Sequence, residues 1–206
     1  MMAKIKFTKT EQKKQQDALK QFQRFLPTLQ LKKQQLQAEV RQSLEALEAN
    51  IAARKMLEKE LASCIAFFGN EETADFVTSK VRVKRVVAGY ANIAGINIPT
   101  FDHVEFEESS WDLFSTGWYV DDAIKALQSA VSLREAYRIL EEQHRLLSEE
   151  LRTTSQRVNL FEKVKIPECK ENIRKIRIML GDMDTAAVAR SKIAKGKGSA
   201  HSEEVA

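Results

Sequence analysis

One apolar stripe near the C-terminus constrains the fold of this chain more than any other feature. In the segment 156–195, the residues Ile173, Ile176, Leu180, Met183 and Ala187 are separated by 3, 4, 3 and 4 positions. This spacing places them on one side of an α-helix, and a helix with one apolar side needs a partner. No catalytic constellation interrupts the stripe. We therefore predict a helix with a mechanical or organisational role, paired with another helix of the same chain.

The N-terminal part supplies a partner of the right kind. Residues 11–68 show helical periodicity, and good helix formers fill the positions between the apolar ones. Pro27 is the one break in the pattern, and we expect it to kink or divide the helix because proline removes a backbone donor. The apolar positions are Leu19, Phe22, Leu26 and Leu29, followed by Leu36, Val40, Leu44, Leu47 and Ile51.

Between the helices the composition changes. The chain has only 7 Gly and 3 Pro among 206 residues, which favours long helices, but Gly95 and Pro99 both lie in this short region. Val81, Val83 and Val86 come just before them in an alternating, β-branched run. We predict one or two short strands here, as a small hairpin that packs on the helices or on a partner.

These patterns predict a mainly α fold, a long antiparallel two-helix coiled coil with a small insert that contains a β-hairpin. Helical periodicity returns near Tyr119, and Pro167 is expected to interrupt it. Both helices would form a rod with the termini at one end and the insert at the other. The predicted parts are an N-terminal helix (1–68), a compact insert (69–118), a C-terminal helix (119–195) and a disordered tail (196–206).

Charge is distributed unevenly along the chain. Residues 1–35 carry nine Lys or Arg against Glu11 and Asp17, whereas residues 100–122 carry seven Asp or Glu and no Lys or Arg. Such asymmetry suggests different partners for different parts of the chain.

Several kinds of chemistry find no support in the sequence. Cys64 and Cys169 have no metal-ligand spacing around them, and the glycines of 195–199 lack the spacing of a phosphate-binding loop. We predict no catalytic, cofactor-binding or metal site. No run approaches the roughly 20 apolar residues of a membrane span, and the first residues lack the apolar stretch of a signal peptide. We expect a cytoplasmic protein.

Three stretches of the chain are similar to the D subunit of the V-type and A-type ATPases, the central rotor shaft of these rotary enzymes. One is the N-terminal Thr8-Lys9 together with the leucine–lysine run from Leu26 to Leu36, and another is the run from Asn92 to Pro99. The most specific stretch combines order, spacing and a mid-helix proline: Arg157-Val158-Asn159, Leu160, Glu162, Ile166-Pro167, Ile173, Ile176, Leu180, Arg190 and Lys192.

The chain also departs from this family. The family often has glycine where Pro27 stands, and it has an acidic–arginine cluster where this chain has 181–186. The departures point to a divergent, bacterial branch.

The resemblance implies a non-catalytic shaft subunit that transmits torque between an ATP-hydrolysing or ATP-making hexamer and a membrane ion-translocating ring. The end with the termini would insert into the hexamer of catalytic and regulatory subunits. The insert would couple to the small F subunit of the stalk and to the subunit that caps the membrane ring. The chain would then be cytoplasmic and peripheral to a membrane-bound complex, with no cofactor, no nucleic acid and no direct membrane insertion.

The resemblance also suggests which residues serve the shaft. Pro27 and Pro167 are expected to bend it, since both disturb helices and an antiparallel register puts Pro167 opposite about residue 20. The candidate contacts with the partner subunits are all basic: Lys13, Lys14, Arg24, Lys32, Lys33, Arg157, Arg190 and Lys192.

Two other functions fit parts of the sequence. A coiled-coil scaffold or tether, including a dimeric one, predicts sustained heptads between chains and no small β insert. A nucleic-acid-binding protein would use the basic N-terminal helix, and its affinity would fall steeply with salt.

Overall fold

A computed structural model describes residues 5–64, 71–110, 117 and 119–204. It confirms the predicted fold class, mainly α with long helices and one antiparallel hairpin. The chain divides into two compact units, unit 1 from Met1–Leu31 with Thr154–Ala206 and unit 2 from Lys32–Thr153. The elements are α1 (Lys9–Cys64), α2 (Glu71–Lys80), β1 (Val83–Ile93), β2 (Ile96–Phe106), α3 (Val120–Leu160), a π-turn (Phe161–Lys165) and α4 (Ile166–Glu204).

The first helix begins at a side-chain cap. The backbone N–H of Glu11 donates to Thr8 Oγ1 at 3.2 Å, which satisfies one of the donors that a helix N-terminus leaves free. The predicted end of this helix at residue 68, and the stop signal at Gly69-Asn70, lie outside the described residues.

Of the two outcomes expected at Pro27, a kink or a division of the helix, division does not occur. The helix α1 runs from Lys9 to Cys64 with Pro27 inside it. One proline removes a single hydrogen bond, and the many bonds on either side keep the helix continuous. Just after it, the hydroxyl of Thr28 donates to the carbonyl of Phe25 at 2.8 Å, so this region gains a side-chain bond.

The predicted interruption at Pro167 takes the form of a π-turn. The N–H of Ile166 donates to the carbonyl of Phe161, five residues back, and α4 follows without a gap. Proline has no N–H, and in an α-helix its ring clashes with the carbonyl four residues earlier, here Lys163. Widening the preceding turn relieves that clash, which is a common cause of a π-turn within a helix.

In unit 1, α1 packs in antiparallel orientation against a second helix, which consists of the end of α3 from Thr154, the π-turn and α4. The rings of Phe22 and Phe161 are 5.0 Å apart, and the side-chain amide of Asn172 donates to Gln15 Oε1 at 3.4 Å. This register agrees with the prediction that Pro167 lies opposite about residue 20. The buried side chains of the second helix are Thr154, Val158, Cys169, Asn172 and Ile176.

In unit 2, α1 and α3 are also antiparallel and hold the hairpin. Leu36 of α1, Leu147 of α3 and Ile98 of β2 are each completely buried and pack together. Three large aliphatic side chains from three elements thus fix the hairpin on the helix pair, as burial of apolar surface favours.

The hairpin is longer than the sequence suggested, with two strands of 11 residues. Its two-residue turn, Ala94-Gly95, has positive φ at both positions, 52° and 84°, which is the geometry of the turns that match the strand twist. The side chain of Asn92 fixes the turn, since its Oδ1 accepts the N–H of Gly95 at 3.2 Å and its Nδ2 donates to Asn97 Oδ1 at 2.7 Å.

Two features of the structure differ from the sequence prediction. The insert contains the helix α2, whose Val77 is buried against Val120 and Ile124 of α3. This helix has only 10 residues, too few for its apolar spacing to predict a helix from the sequence. The tail 196–206 was expected to be disordered, yet α4 continues to Glu204.

Candidate functional site

The candidate contact residues of unit 1 form an exposed basic set. Their side chains are open to solvent, and no ion pair joins them to another of the described residues. Unpaired, exposed cations attract anionic partners and guide their approach. The set consists of Lys13, Lys14 and Arg24 of α1 with Arg157, Arg190 and Lys192 of the second helix.

Lys32 and Lys33 belong to unit 2 and are half-buried. Lys32 Nζ donates to Glu150 Oε1 at 2.7 Å, so this lysine already has a partner within the chain. Lys32 thus differs from the exposed basic set in being half-buried and paired within the chain.

The apolar stripe on which the fold prediction depends is only partly covered. Ile176 is completely buried and Ile173 and Leu180 are half-buried, whereas Met183 is 51% exposed and Ala187 is also exposed. The register of the two helices explains why the stripe is exposed after Leu180. The helix α1 begins at Lys9 and offers no helix turn opposite the later part of α4.

The later part of α4, residues 181–195, forms a free helix end. All of its side chains are exposed, including the large apolar residues Met183, Val188 and Ile193 at 51%, 56% and 61%. Because these three residues are five positions apart, each is turned by about 140° from the one before it, so they lie on different sides of the helix and not in one patch. Arg190 and Lys192 lie on this free end, so apolar and basic groups are combined there.

Unit 2 contains a groove of about 930 Å³ between the hairpin and α3. Its apolar wall is formed by Val86, Ala88 and Pro99 of the strands and by Ile139 of α3. Its polar wall belongs to α3 alone, with Glu135, Arg138, Glu141, Glu142, His144, Arg145 and Ser148.

The polar wall is held in place by bonds within the chain. His144 Nδ1 lies 2.8 Å from Ser43 Oγ, and that hydroxyl donates to the carbonyl of Val40 at 2.9 Å. Because a hydroxyl has one proton, Ser43 accepts from the Nδ1–H of His144, which assigns the tautomer.

Arg145 organises the charges of the same wall. Its guanidinium donates twice to Glu142, at 2.7 and 2.8 Å, and once to Glu149 at 3.3 Å. The hydrogen bond from Arg145 lowers the pKa of the Glu142 carboxyl, with a smaller contribution from the positive charge. The wall thus carries solvent-exposed ion pairs.

The acidic region of the insert is less uniform than its sequence suggested. Arg85 of β1 lies opposite Glu105 of β2 in the hairpin, and Arg85 Nη2 is 3.0 Å from Glu105 Oε1. His103 Nδ1 is 3.2 Å from the carboxylate of Asp102. Pairing across strands partly neutralises the run 100–110, and Asp112 lies outside the described residues.

Sequence reasoning missed the groove altogether. The Glu142–Arg145–Glu149 spacing signals ion pairs on one helix face, but a groove depends on where the hairpin lies. Within the described ranges no cluster of His, Cys, Asp or Glu is placed to hold a metal ion. Over the same residues no helix is long and apolar enough to cross a membrane.

The fold defines a class of protein, one built from paired long helices with a β-hairpin insert. Its exposed helix end, basic set and groove are surfaces of the kind that bind other proteins. The family model for the D subunit of ATP synthase matches residues 11–196, and the chain belongs to this family. It is 46% identical over 194 residues to the V-type ATP synthase D subunit of Borreliella burgdorferi, covering 94% of this chain and 95% of that one. The corresponding D subunit of Chlamydia felis is 32% identical over 212 residues, covering 99% and 98%. These relatives confirm the bacterial branch of the resemblance.

Proposed function

We propose that this chain is the central stalk, or rotor shaft, subunit of a rotary V/A-type ATPase or ATP synthase. It would carry torque between the ATP-hydrolysing or ATP-making hexamer and the membrane ion-translocating ring. The observation that carries this proposal is the family match over residues 11–196. The long paired helices support it, since torque transmission needs a stiff element. The hairpin insert argues against the simple coiled-coil tether.

The surfaces of unit 1 suggest how the shaft meets the hexamer. We assign the free helix end (residues 181–195) and the exposed basic set to contacts with the catalytic and regulatory subunits. Basic side chains on the rim of such a contact act mainly on association and register, while Met183, Val188 and Ile193 would supply the apolar contact. The chain itself would not catalyse ATP hydrolysis.

The surfaces of unit 2 suit the other partners. We assign the groove between the hairpin and α3 to the small F subunit of the stalk, because it combines an apolar wall with exposed charged groups. The subunit that caps the membrane ring would bind another surface of the insert region. In this arrangement the chain is peripheral to the membrane and needs no cofactor.

The two helix prolines would contribute asymmetry to the shaft. Pro27 and Pro167 are both exposed and lie in unit 1. We propose that they bend the helix pair, so that each catalytic site meets a different face. A measured helix axis that is straight through both positions would contradict this part of the proposal.

A charge-reversal experiment tests the hexamer contact. In the purified complex, Lys13, Lys14 and Arg24 are changed together to Glu, and ATP hydrolysis and ion transport are measured side by side. A matched control changes Arg41, Lys55 and Lys59, three exposed cations of α1 in unit 2, which alters the net charge by the same amount. We expect loss of coupling in the first variant alone, and equal effects would contradict the assignment.

A truncation tests the free helix end. Removing residues 182–206 deletes the exposed side chains of 182–195 and leaves Ile176 and Leu180 in place. We expect the thermal unfolding of the chain to change little, because these residues have no helix opposite them, while its binding to the hexamer is lost. Unchanged binding would show that the hexamer contact lies elsewhere.

A further inference from the structure

The two helix prolines remove hydrogen bonds at one level of unit 1. In an α-helix each proline lacks the N–H that would bond the carbonyl four residues earlier. For Pro27 that carbonyl belongs to Gln23, and for Pro167 it belongs to Lys163.

Because of the helix register, these two carbonyls lie at a similar height along the axis of the helix pair. The contacts Gln15–Asn172 and Phe22–Phe161 place Gln23 between the levels of Leu160 and Val164. Both helices therefore lack a bond where the π-turn lies.

Within the paired part of the second helix, from Thr154 to Ile176, the longest interval without a buried side chain also lies at this level. The π-turn (Phe161–Lys165) contains no buried residue, and the flanking Leu160 and the inner Val164 are 44% and 49% exposed. The nearest buried side chains of the second helix are Val158 on one side and Cys169 on the other. The tilted ring contact of Phe22 with Phe161 spans the level.

We propose that residues 20–27 and 160–167 form a compliant joint, where the helix pair of unit 1 opens more readily than along the neighbouring stretch from Cys169 to Leu180. Local opening needs less free energy where backbone bonds and buried contacts are fewer. Here each helix lacks a backbone bond, and the second helix has no buried side chain between Val158 and Cys169. The joint follows from Pro27, Pro167 and the packing, and it holds whether or not the chain turns within an ATPase. In a shaft, such a joint would take up twist.

Hydrogen exchange measured by mass spectrometry on the full chain tests this proposal. In the unchanged chain, amides of 160–166 and 20–26 should exchange about tenfold faster than those of 173–180, after correction for intrinsic rates. In the double variant Pro27→Ala with Pro167→Ala, both segments should slow by roughly tenfold, since alanine restores the missing donor and is the best helix former. The two new alanine amides are left out of the comparison.

The control variant is Gly181→Ala. A side chain at Gly181 meets nothing within 4 Å, so this change strengthens α4 away from the joint. It should slow exchange near residue 181 and leave 160–166 and 20–26 unchanged. The proposal is overturned if these two segments are as protected as 173–180 in the unchanged chain. It is equally overturned if the double variant slows only one of them, or if Gly181→Ala slows them as much.

Discussion

Lys32 and Glu150 are 118 positions apart in sequence, yet Lys32 Nζ lies 2.7 Å from Glu150 Oε1. The pair joins α1 to α3 in unit 2, and about a third or less of each side chain is exposed, 32% and 27%. A lysine that the sequence offers as a partner contact is therefore engaged within its own chain. The pair is one of the contacts between the antiparallel helices α1 and α3.

Reversing the charge of Lys32 tests this contact. We expect Lys32→Glu to lower the free energy of unfolding by roughly 0.5–1 kcal/mol, the range for partly exposed ion pairs. Combining it with Glu150→Lys should restore most of the loss, because the pair is re-formed with opposite polarity. Urea unfolding of the unchanged chain, the two single variants and the double variant, in low and high salt, measures the coupling energy. A double variant no more stable than Lys32→Glu alone would refute the proposed pairing.

The buried trio Leu36, Ile98 and Leu147 fixes the hairpin on the helix pair. We expect Ile98→Ala to lower the free energy of unfolding by about 3 kcal/mol, through lost burial and the cavity that remains. Leu31→Ala is the control, since Leu31 is 57% exposed and surface substitutions usually change stability by less than about 0.5 kcal/mol. Chemical denaturation compares them, and equal losses would contradict the assigned core.

Two substitutions in the hairpin turn should have opposite effects on the free energy of unfolding. Gly95→Ala should lower the free energy of unfolding by about 1 kcal/mol, because an L-residue at positive φ is strained. Ala94→Asn should raise it or leave it unchanged, since Asn tolerates positive φ and Asn-Gly is the favoured pair in such turns. Thermal unfolding of both variants checks the signs, and a stabilising Gly95→Ala would rule out the observed turn.

Sequence reasoning succeeded where one local pattern determines the outcome. The 3–4 spacing around Ile176 predicted a partnered helix, and the short run around Gly95 predicted a hairpin. The register of Pro167 opposite about residue 20 followed from antiparallel pairing alone. Each of these depends on repeats or turn residues that can be read along the chain.

The sequence left open whether Pro27 kinks or divides the helix, and α1 is continuous because the bonds around the proline outweigh one lost donor. Other features depend on residues that are neighbours only in space. The pairing of Lys32 with Glu150 depends on helix register, and the groove depends on where Pro99 and Arg145 meet in space. Spacing also predicted that Met183 is covered, but α1 begins too late along the axis to reach it.

Acid should weaken the ion pair on the groove wall in a predictable direction. The pKa of Glu142 is lowered from its ordinary value of 4.5 by its hydrogen bond to Arg145. A carboxyl whose folded-state pKa is lowered stabilises the fold above the unfolded-state value, and that contribution is lost as pH falls through the folded-state value. The difference in thermal stability between the unchanged chain and Arg145→Gln should therefore be present at neutral pH and shrink below about pH 4.5. A difference that grows on acidification would have the wrong sign.

The central claim, that this chain is a turning shaft, is tested most directly by observing its rotation. A bead is attached through a cysteine at position 90 in place of Tyr90, which is 82% exposed, and the hexamer of the purified complex is fixed to a surface. With ATP present, we predict stepwise rotation of the bead in one direction, which stops when ATP is removed. A bead that stays stationary while the same immobilised complexes hydrolyse ATP would contradict the account.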